Sequence, residues 1–353
     1  MLEDLIRAWD GEEVVAHFDE SGGAWMFICL HSTRRGPAGG GTRMQVYPSA
    51  ADALEDAMRL AEGMTLKMSA ADLPFGGGKA VLLVPSLPTG EERRRLLLRY
   101  ADLVASLGGS YRTGPDVNTT SADMDVIGER TSHVFCRSEA HGGSGDPGPY
   151  TARGVFHGIR ASLARVFGSG ELRGRSVLVQ GVGDVGARLA ELLAEAGARV
   201  LVSDVAADRA TAAAAGTGAE IVPPGEALGV ACDVYAPCAL GGTLSADSIG
   251  DLGCRVVAGS ANNQLAAPED AELLRAAEIL YAPDFVINAG GVLYAWGVES
   301  LGWSRDHVEE RLVGIGDTLT AIYERAETDG ITTAAAAEQL ARARVRGGRH
   351  SIE

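Results

Sequence analysis

Short apolar runs recur along this chain at two spacings, and they separate it into two halves of different character. Residues 14–18 and 24–31 are apolar and rich in β-branched or aromatic side chains. The polar stretch Asp19-Glu20-Ser21-Gly22-Gly23 between them reads as a turn, so the pattern predicts two strands. Over 50–63, Leu54, Ala57, Met58 and Ala61 recur at helical spacing, with Ser49 and Asp52 where a helix start wants them. The run Ala80-Val81-Leu82-Leu83-Val84 predicts a strand following Gly76-Gly77-Gly78-Lys79, and 91–107 predicts another helix. The glycine-rich stretch 36–43 predicts a flexible segment.

Residues 139–150 are polar and crowded with Gly and Pro, the composition of a linker. Beyond them a helix is predicted over 152–167, then the strand Ser176–Gln180, a glycine turn, a helix to Ala196 and the strand Arg199–Ser203. Further apolar runs fall at 219–222, 233–236, 255–258 and 278–281. Strands alternating with helices in this way imply a parallel α/β sheet. From about 305 the chain is predicted helical, and its basic tail (Arg342, Arg344, Arg346, Arg349) reads as a solvated helix end that suits the helix dipole.

Composition narrows the function classes. A chain of 353 residues with 46% apolar residues can build two cores. The formal charge of −16 argues against general nucleic-acid binding, which needs a basic face. No run approaches the roughly 18 apolar residues of a membrane span, and the acidic start MLEDLIRAWDGEE lacks the apolar core of a signal peptide. The five cysteines include no CxxC pair, so reduced thiols and a cytoplasmic location are expected. The seven histidines show no HExxH or HxxxH spacing. No metal is expected, and His31, His133 and His157 read as structural.

The stretch Gly181, Val182, Gly183, Asp184, Val185, Gly186 is a complete GxGxxG that follows an apolar strand and opens a helix, the context of a dinucleotide site. Its glycines let the backbone approach a pyrophosphate, and the helix N-terminus supplies unpaired N–H groups. Asp204 ends the next strand, where a carboxylate accepts from a ribose 2′-hydroxyl and repels a 2′-phosphate, so NAD is expected over NADP. Arg209 lies close by in sequence and weakens that preference. A Walker loop is excluded, because Ala80 follows Gly78-Lys79 where Ser or Thr is required.

Two further constellations carry chemistry. Lys67 and Lys79 bracket an otherwise apolar, glycine-rich stretch, and lysines there are unusual because Lys prefers solvated faces. The second is Thr113-Gly114-Pro115-Asp116-Val117-Asn118-Thr119. Together with residues 39–44, Gln180–Gly186, 236–240 (APCAL), 258–265 (AGSANNQL) and 281–291 (YAPDFVINAGG), these segments resemble, in order and over almost the whole chain, the glutamate/leucine/phenylalanine/valine dehydrogenase superfamily. The resemblance implies a two-domain α/β fold: an N-terminal substrate-binding and oligomerisation domain (1–145, joined by about 326–353 returning to it) and a Rossmann-like NAD-binding domain (146–325). It also implies a homo-oligomer, at least a dimer.

Carried over by motif, Lys67 resembles the lysine that holds the substrate α-carboxylate, Lys79 the catalytic lysine, and Asp116 the aspartate that manages protons at the amino group. Gly40 and Gly41 would offer backbone N–H groups, Asn262 would lie near substrate and nicotinamide, and Thr151, Cys238 and Ala239 would contact the cofactor. The implied reaction is NAD-dependent oxidative deamination of an L-amino acid to its 2-oxo acid and ammonia, and the reverse. A fixed cation near the carbinolamine oxygen stabilises the charge that develops there.

In the family's glutamate enzymes a lysine pairs with the substrate's side-chain carboxylate; Gly39 stands at that position here, so glutamate is not expected. Gly39 and Gly114 lack side chains and should leave a large pocket. With Thr113–Asn118 and Leu301–Ser304 this points to L-phenylalanine and to a phenylalanine dehydrogenase-like enzyme, with a bulkier aromatic such as tryptophan left open. Val292 points instead to the leucine/valine alternative. A catalytically silent NAD-binding protein is the reading from a different class. Gly142-Gly143 and Gly290-Gly291 flank the second domain as candidate hinges.

Overall fold

The computed structural model describes residues 2–348, so Arg349 of the basic tail lies outside the described residues. The chain divides into two compact units. Unit 1 holds the described parts of Met1–Asp146, Ala295–Gly302 and Ala341–Glu353, and unit 2 holds Pro147–Tyr294 and Trp303–Leu340. The sequence reading differs from this at the C-terminal end, where it assigned everything after about 326 to the first domain. Instead residues 295–302 join unit 1 early, through buried Trp296, and residues 303–340 stay with unit 2.

Unit 1 runs α1 (Leu2–Ala8), β1 (Glu13–Asp19), β2 (Ala24–Ser32), β3 (Ala38–Gln45), α2 (Ala50–Ala70), β4 (Gly76–Leu83), α3 (Gly90–Ser106), β5 (Tyr111–Pro115) and α4 (Ser121–Ile127). Its sheet has the order β1-β2-β4-β3-β5. β1, β2 and β4 pair antiparallel in sequence, while β3 runs parallel to both β4 and β5. Side chains alternate across a strand, and the two faces are covered by different helices. Phe27, Cys29 and Val81 pack against Ala53, Leu54, Ala57 and Ala61 of α2. Met26, Ile28, Ala80 and Leu82 pack against Leu96, Leu97, Tyr100 and Val104 of α3.

The stretch 36–43, expected as a flexible segment, is largely a buried interior strand, β3. Its glycines answer to crowding: a Cβ on Gly40 would overlap the carbonyl of Gly78 on the neighbouring strand. The glycine run hides the period-2 pattern from which a strand is read. For the same reason β4 begins at Gly76 rather than at Ala80. Helix α2 continues past 63, which places Lys67 in its last turn.

Unit 2 and the segments shared with unit 1 run α5 (Gly148–Phe167), β6 (Ser176–Gln180), α6 (Asp184–Glu195), β7 (Arg199–Ser203), α7 (Ala207–Thr217), β8 (Glu220–Ile221), β9 (Val234–Pro237), β10 (Val256–Val257), α8 (Asp270–Ala276), β11 (Leu280–Tyr281), α9 (Asp284–Ile287), α10 (Gly290–Leu301), α11 (Arg305–Asp329) and α12 (Thr333–Gly347). Its sheet is wholly parallel, in the order β11-β10-β9-β6-β7-β8. This is the doubly wound Rossmann order. The strand order reverses between β6 and β9, and the crevice at the carboxyl ends of those strands is where such sheets bind ligands. The expected two-domain α/β fold with a Rossmann-like sheet is the fold found.

The tail is not simply a solvated helix end. Arg344 Nη1 donates to the carbonyls of Ser69 (3.1 Å) and Ala70 (2.7 Å), capping the C-terminus of α2, while Arg342 pairs with Glu62 at 2.7 Å. No described helix is long and apolar enough to cross a membrane.

Candidate active site

In unit 1 the α2-facing side of the sheet carries the candidate chemistry. Arg43 reaches Asp56 on α2, whereas Thr42 bonds Tyr100 on α3. The odd-numbered residues of β3 (Gly39, Gly41 and Arg43) therefore face the α2 side. Lys79 shares that face with Val81, and its ammonium lies 2.7 Å from Asp116 Oδ2, just beyond the end of β5. Arg43 Nε donates to the same oxygen at 3.1 Å. Lys79 is buried, with 6% of its surface exposed, and that is tolerable only because a counter-charge meets it.

The support of Asp116 is built from residues to which the sequence reading gave no role. Its backbone N–H donates to Thr119 Oγ1 (2.8 Å), which in turn donates to the Thr42 carbonyl (2.7 Å). Thr42, Tyr100 and Thr113 form a buried hydroxyl cluster that ties β3, β5 and α3 together. Arg43 is itself held by Asp56, which also accepts from Tyr47 and Arg59. Period-2 spacing from Gly41 would have pointed to Arg43, had the glycine run been read as a strand. Burial alone would push the Asp116 carboxyl up; the charges of Lys79 and Arg43 outweigh it and bring it down to about 2. Asp116 therefore stays ionised through the physiological range.

The large pocket expected at Gly39 and Gly114 is not open. A Cβ on Gly39 would overlap the Trp296 ring, and one on Gly114 would overlap Phe135. Phe75 and Phe135 pack on Trp296 with ring centroids 4.4 and 4.5 Å away. The room that the missing side chains would leave is filled from the other side by this aromatic block.

In unit 2 the glycine turn lies where the strand order reverses. Gly181 has φ of 93°, and its neighbour across the switch point is Ala239, which with Cys238 follows β9. The third glycine, Gly186, lets α6 close on the turn, because a Cβ there would overlap the Gly181 carbonyl oxygen. We expect Gly186→Ala to lower stability by about 1–3 kcal/mol and to weaken NADH binding at least tenfold, read by thermal unfolding and fluorescence titration. Wild-type affinity in that variant would show that the close approach does not shape the site.

Gly183, at the N-cap of α6, has open space where a Cβ would be, and no side chain caps the helix. Free first-turn N–H groups beside open space fit a pyrophosphate. Asp184 is exposed and pairs with Arg188, and Val185 is half-buried. Asp204 accepts from the N–H groups of Val182 (2.9 Å) and Ala206 (2.8 Å). A carboxylate has further lone pairs to offer a ribose. Arg209 is exposed on α7. Thr151 sits in the first turn of α5 beside Gly291, and Val292 follows in α10. Asn262 is exposed on the loop after β10 and accepts from Asn288 Nδ2 at 2.8 Å.

All five cysteines are free. His31 bonds Thr65 and Asp10, and a compact Asp10–His31–Glu62 group already has the Arg342 guanidinium as its cation.

Comparison with known proteins identifies the family. Residues 19–133 match the family model described as Glu/Leu/Phe/Val dehydrogenase, dimerisation domain. Residues 142–208 and 202–350 match Glutamate/Leucine/Phenylalanine/Valine dehydrogenase. The chain is 42% identical over 343 residues to a leucine dehydrogenase of Thermoactinomyces intermedius (97% of this chain, 93% of that one). It is 44% identical over 360 residues to a valine dehydrogenase of Streptomyces virginiae (99% and 98%). The solved L-tryptophan dehydrogenase of Nostoc punctiforme superposes with a TM-score of 0.83 at 37% identity, covering 98% of this chain and 99% of that one. With the lysine–aspartate pair on one unit and the glycine turn at the switch point of the other, the chain belongs to the glutamate/leucine/phenylalanine/valine dehydrogenase family and is an amino acid dehydrogenase.

Proposed function

We propose that this enzyme oxidatively deaminates branched-chain L-amino acids, leucine and valine, to their 2-oxo acids and ammonia, with NAD as the hydride acceptor. The observation that carries the substrate choice is the aromatic block over Gly39 and Gly114, which takes up room that a phenyl side chain would need. The similarity to leucine and valine dehydrogenases supports it. This replaces phenylalanine, which the two glycines had suggested while they were read without their neighbours.

In this reading the Gly181–Gly186 turn, Asp204, Cys238, Ala239 and Thr151 hold the dinucleotide, and Asn262 lies near substrate and nicotinamide. The Asp204 carboxylate favours a free ribose 2′-hydroxyl, hence NAD over NADP. NAD held by these residues would supply the acceptor for the hydride that leaves the substrate Cα. Lys67 and the Gly40 and Gly41 amides hold the substrate carboxylate, and Val292 contacts the side chain. The Lys79 ammonium stabilises the negative charge that grows on oxygen as water adds to the oxidised carbon, and it exchanges the proton involved. Both cations on Asp116 contact Oδ2, which leaves Oδ1 to accept from the substrate ammonium. The enzyme works as a homo-oligomer, at least a dimer, in keeping with the dimerisation-domain match over 19–133. Its five free thiols suit the reducing cytoplasm.

The test is NADH formation at 340 nm with NAD⁺ and a panel of L-amino acids at alkaline pH. We expect kcat/KM for leucine or valine to exceed that for phenylalanine and tryptophan at least tenfold. A reversed order returns the aromatic reading, and turnover with none of them removes both.

A further inference from the structure

The face that carries Lys79 and Asp116 is bounded on its two sides by surroundings of opposite chemistry. Along β3, on one side of Gly41, stands Arg43 with Asp56, Tyr47 and Arg59. Val81, beside Arg43 in register, is already covered by α2, and an apolar substrate side chain placed among the charged groups would strip them of their partners. On the other side, two residues or about 7 Å along the strand, stands Gly39 under Trp296, with Phe75 and Phe135 packed on the ring. A substrate whose reacting carbon lies at Lys79 and Asp116 therefore has one apolar direction for its side chain, toward Gly39.

Trp296 decides how far that direction extends. It is fully buried and is the largest of the fully buried side chains. Its indole N–H is buried with no hydrogen-bond partner. What the residue supplies at this place is volume, since an N–H anchor would show a partner. Strand and ring are fitted as a pair: glycine at 39 is required because the ring occupies the position of its Cβ, and the ring fits only because 39 is glycine.

We propose that Trp296 is the residue that sets the upper size limit of the substrate side chain, acting as a plug in an apolar trough that Gly39 and Gly114 would otherwise leave open to an aryl group. The proposal rests on the amino acid dehydrogenase reading of the Lys79–Asp116 site. An engineered apolar cavity of roughly 150 Å3 takes up benzene, so the room vacated by the indole fits a phenyl ring.

The experiment measures the ratio of kcat/KM for L-phenylalanine to that for L-leucine in the wild type, Trp296→Ala, Trp296→Leu, Gly39→Leu and the double variant Gly39→Leu/Trp296→Ala, with circular dichroism to establish folding. Trp296→Ala should raise the ratio at least tenfold, and Trp296→Leu should raise it by less. Gly39→Leu alone should lose folded protein or at least tenfold in leucine turnover. The double variant should recover both and return the ratio to within about threefold of wild type, because the volume is put back from the strand side. Should Trp296→Ala not fold, Trp296→Leu and the double variant carry the same comparison. A ratio unchanged within twofold in whichever of Trp296→Ala and Trp296→Leu folds overturns the proposal, as does a double variant no better than Gly39→Leu. A wild type that prefers phenylalanine would remove the branched-chain reading but leave this comparison intact, since the proposal concerns the change in ratio and not its starting value.

Discussion

Lys79→Ala should lower kcat/KM for the preferred amino acid by roughly a thousandfold or more, the scale lost when a fixed group that stabilises developing charge and moves a proton is removed. The loss should fall on kcat, because the lysine acts on charge that appears only as the reaction proceeds. NADH affinity, read by fluorescence titration, should stay within about twofold of wild type, since the glycine turn proposed to hold the dinucleotide is built from other residues in unit 2. Asp116 keeps Arg43 as a partner at 3.1 Å, so the variant should remain folded. Turnover within tenfold of wild type would take the chemistry away from Lys79. Intact NADH binding without turnover is the expected combination.

Asp116→Asn should be the more damaging change to stability. It leaves Lys79 and Arg43 close together without the carboxylate between them. The Asp116 carboxyl sits near 2 in the folded protein against an ordinary value of 3.8. That difference corresponds to stabilisation on the order of 2 kcal/mol. Because the folded value is the lower one, the contribution is fully present above about pH 4 and disappears as pH falls through 4 toward 2. Urea unfolding should therefore show a constant gap between wild type and Asp116→Asn from pH 5 to 8, narrowing below pH 4. A gap that persisted unchanged at pH 3 would mean that the variant is weakened by misfit, with no contribution from lost charge. Turnover should fall as well, since Lys79 loses the group that orients it.

Why part of this was legible beforehand follows from range. The Gly181–Gly186 turn could be read because its parts are contiguous: strand, turn and helix start lie within a dozen residues, and the chemistry needs each at a set offset. The alternation of strands and helices announced the parallel sheet in the same local way. Lys67 and Lys79 stood out because an apolar, glycine-rich stretch gives a lysine little local reason to be there, whereas the roles of Lys79 and Asp116 were legible only through the family resemblance of their segments.

What local reading misjudged was everything that depends on the far side of a contact. Glycines at 36–43 suggested a flexible segment, yet Gly39, Gly40 and Gly41 are packed strand residues, and only what crowds them from other elements, such as the Gly78 carbonyl against Gly40, explains them. Gly39 and Gly114 suggested an open pocket, yet Trp296, some 257 positions away from Gly39 in the chain, fills it. The arginines of the tail suggested solvent, yet Arg344 caps the helix that carries Lys67. The sequence by itself determined the class of this protein, its two α/β units and the residue types of its chemistry, because motif spacing and hydrophobic period are properties of neighbours along the chain. Only the tertiary structure decided the ionised state of Asp116 between Lys79 and Arg43 and the size of the space beside them, because charge pairing and excluded volume depend on which distant side chains arrive at the same place.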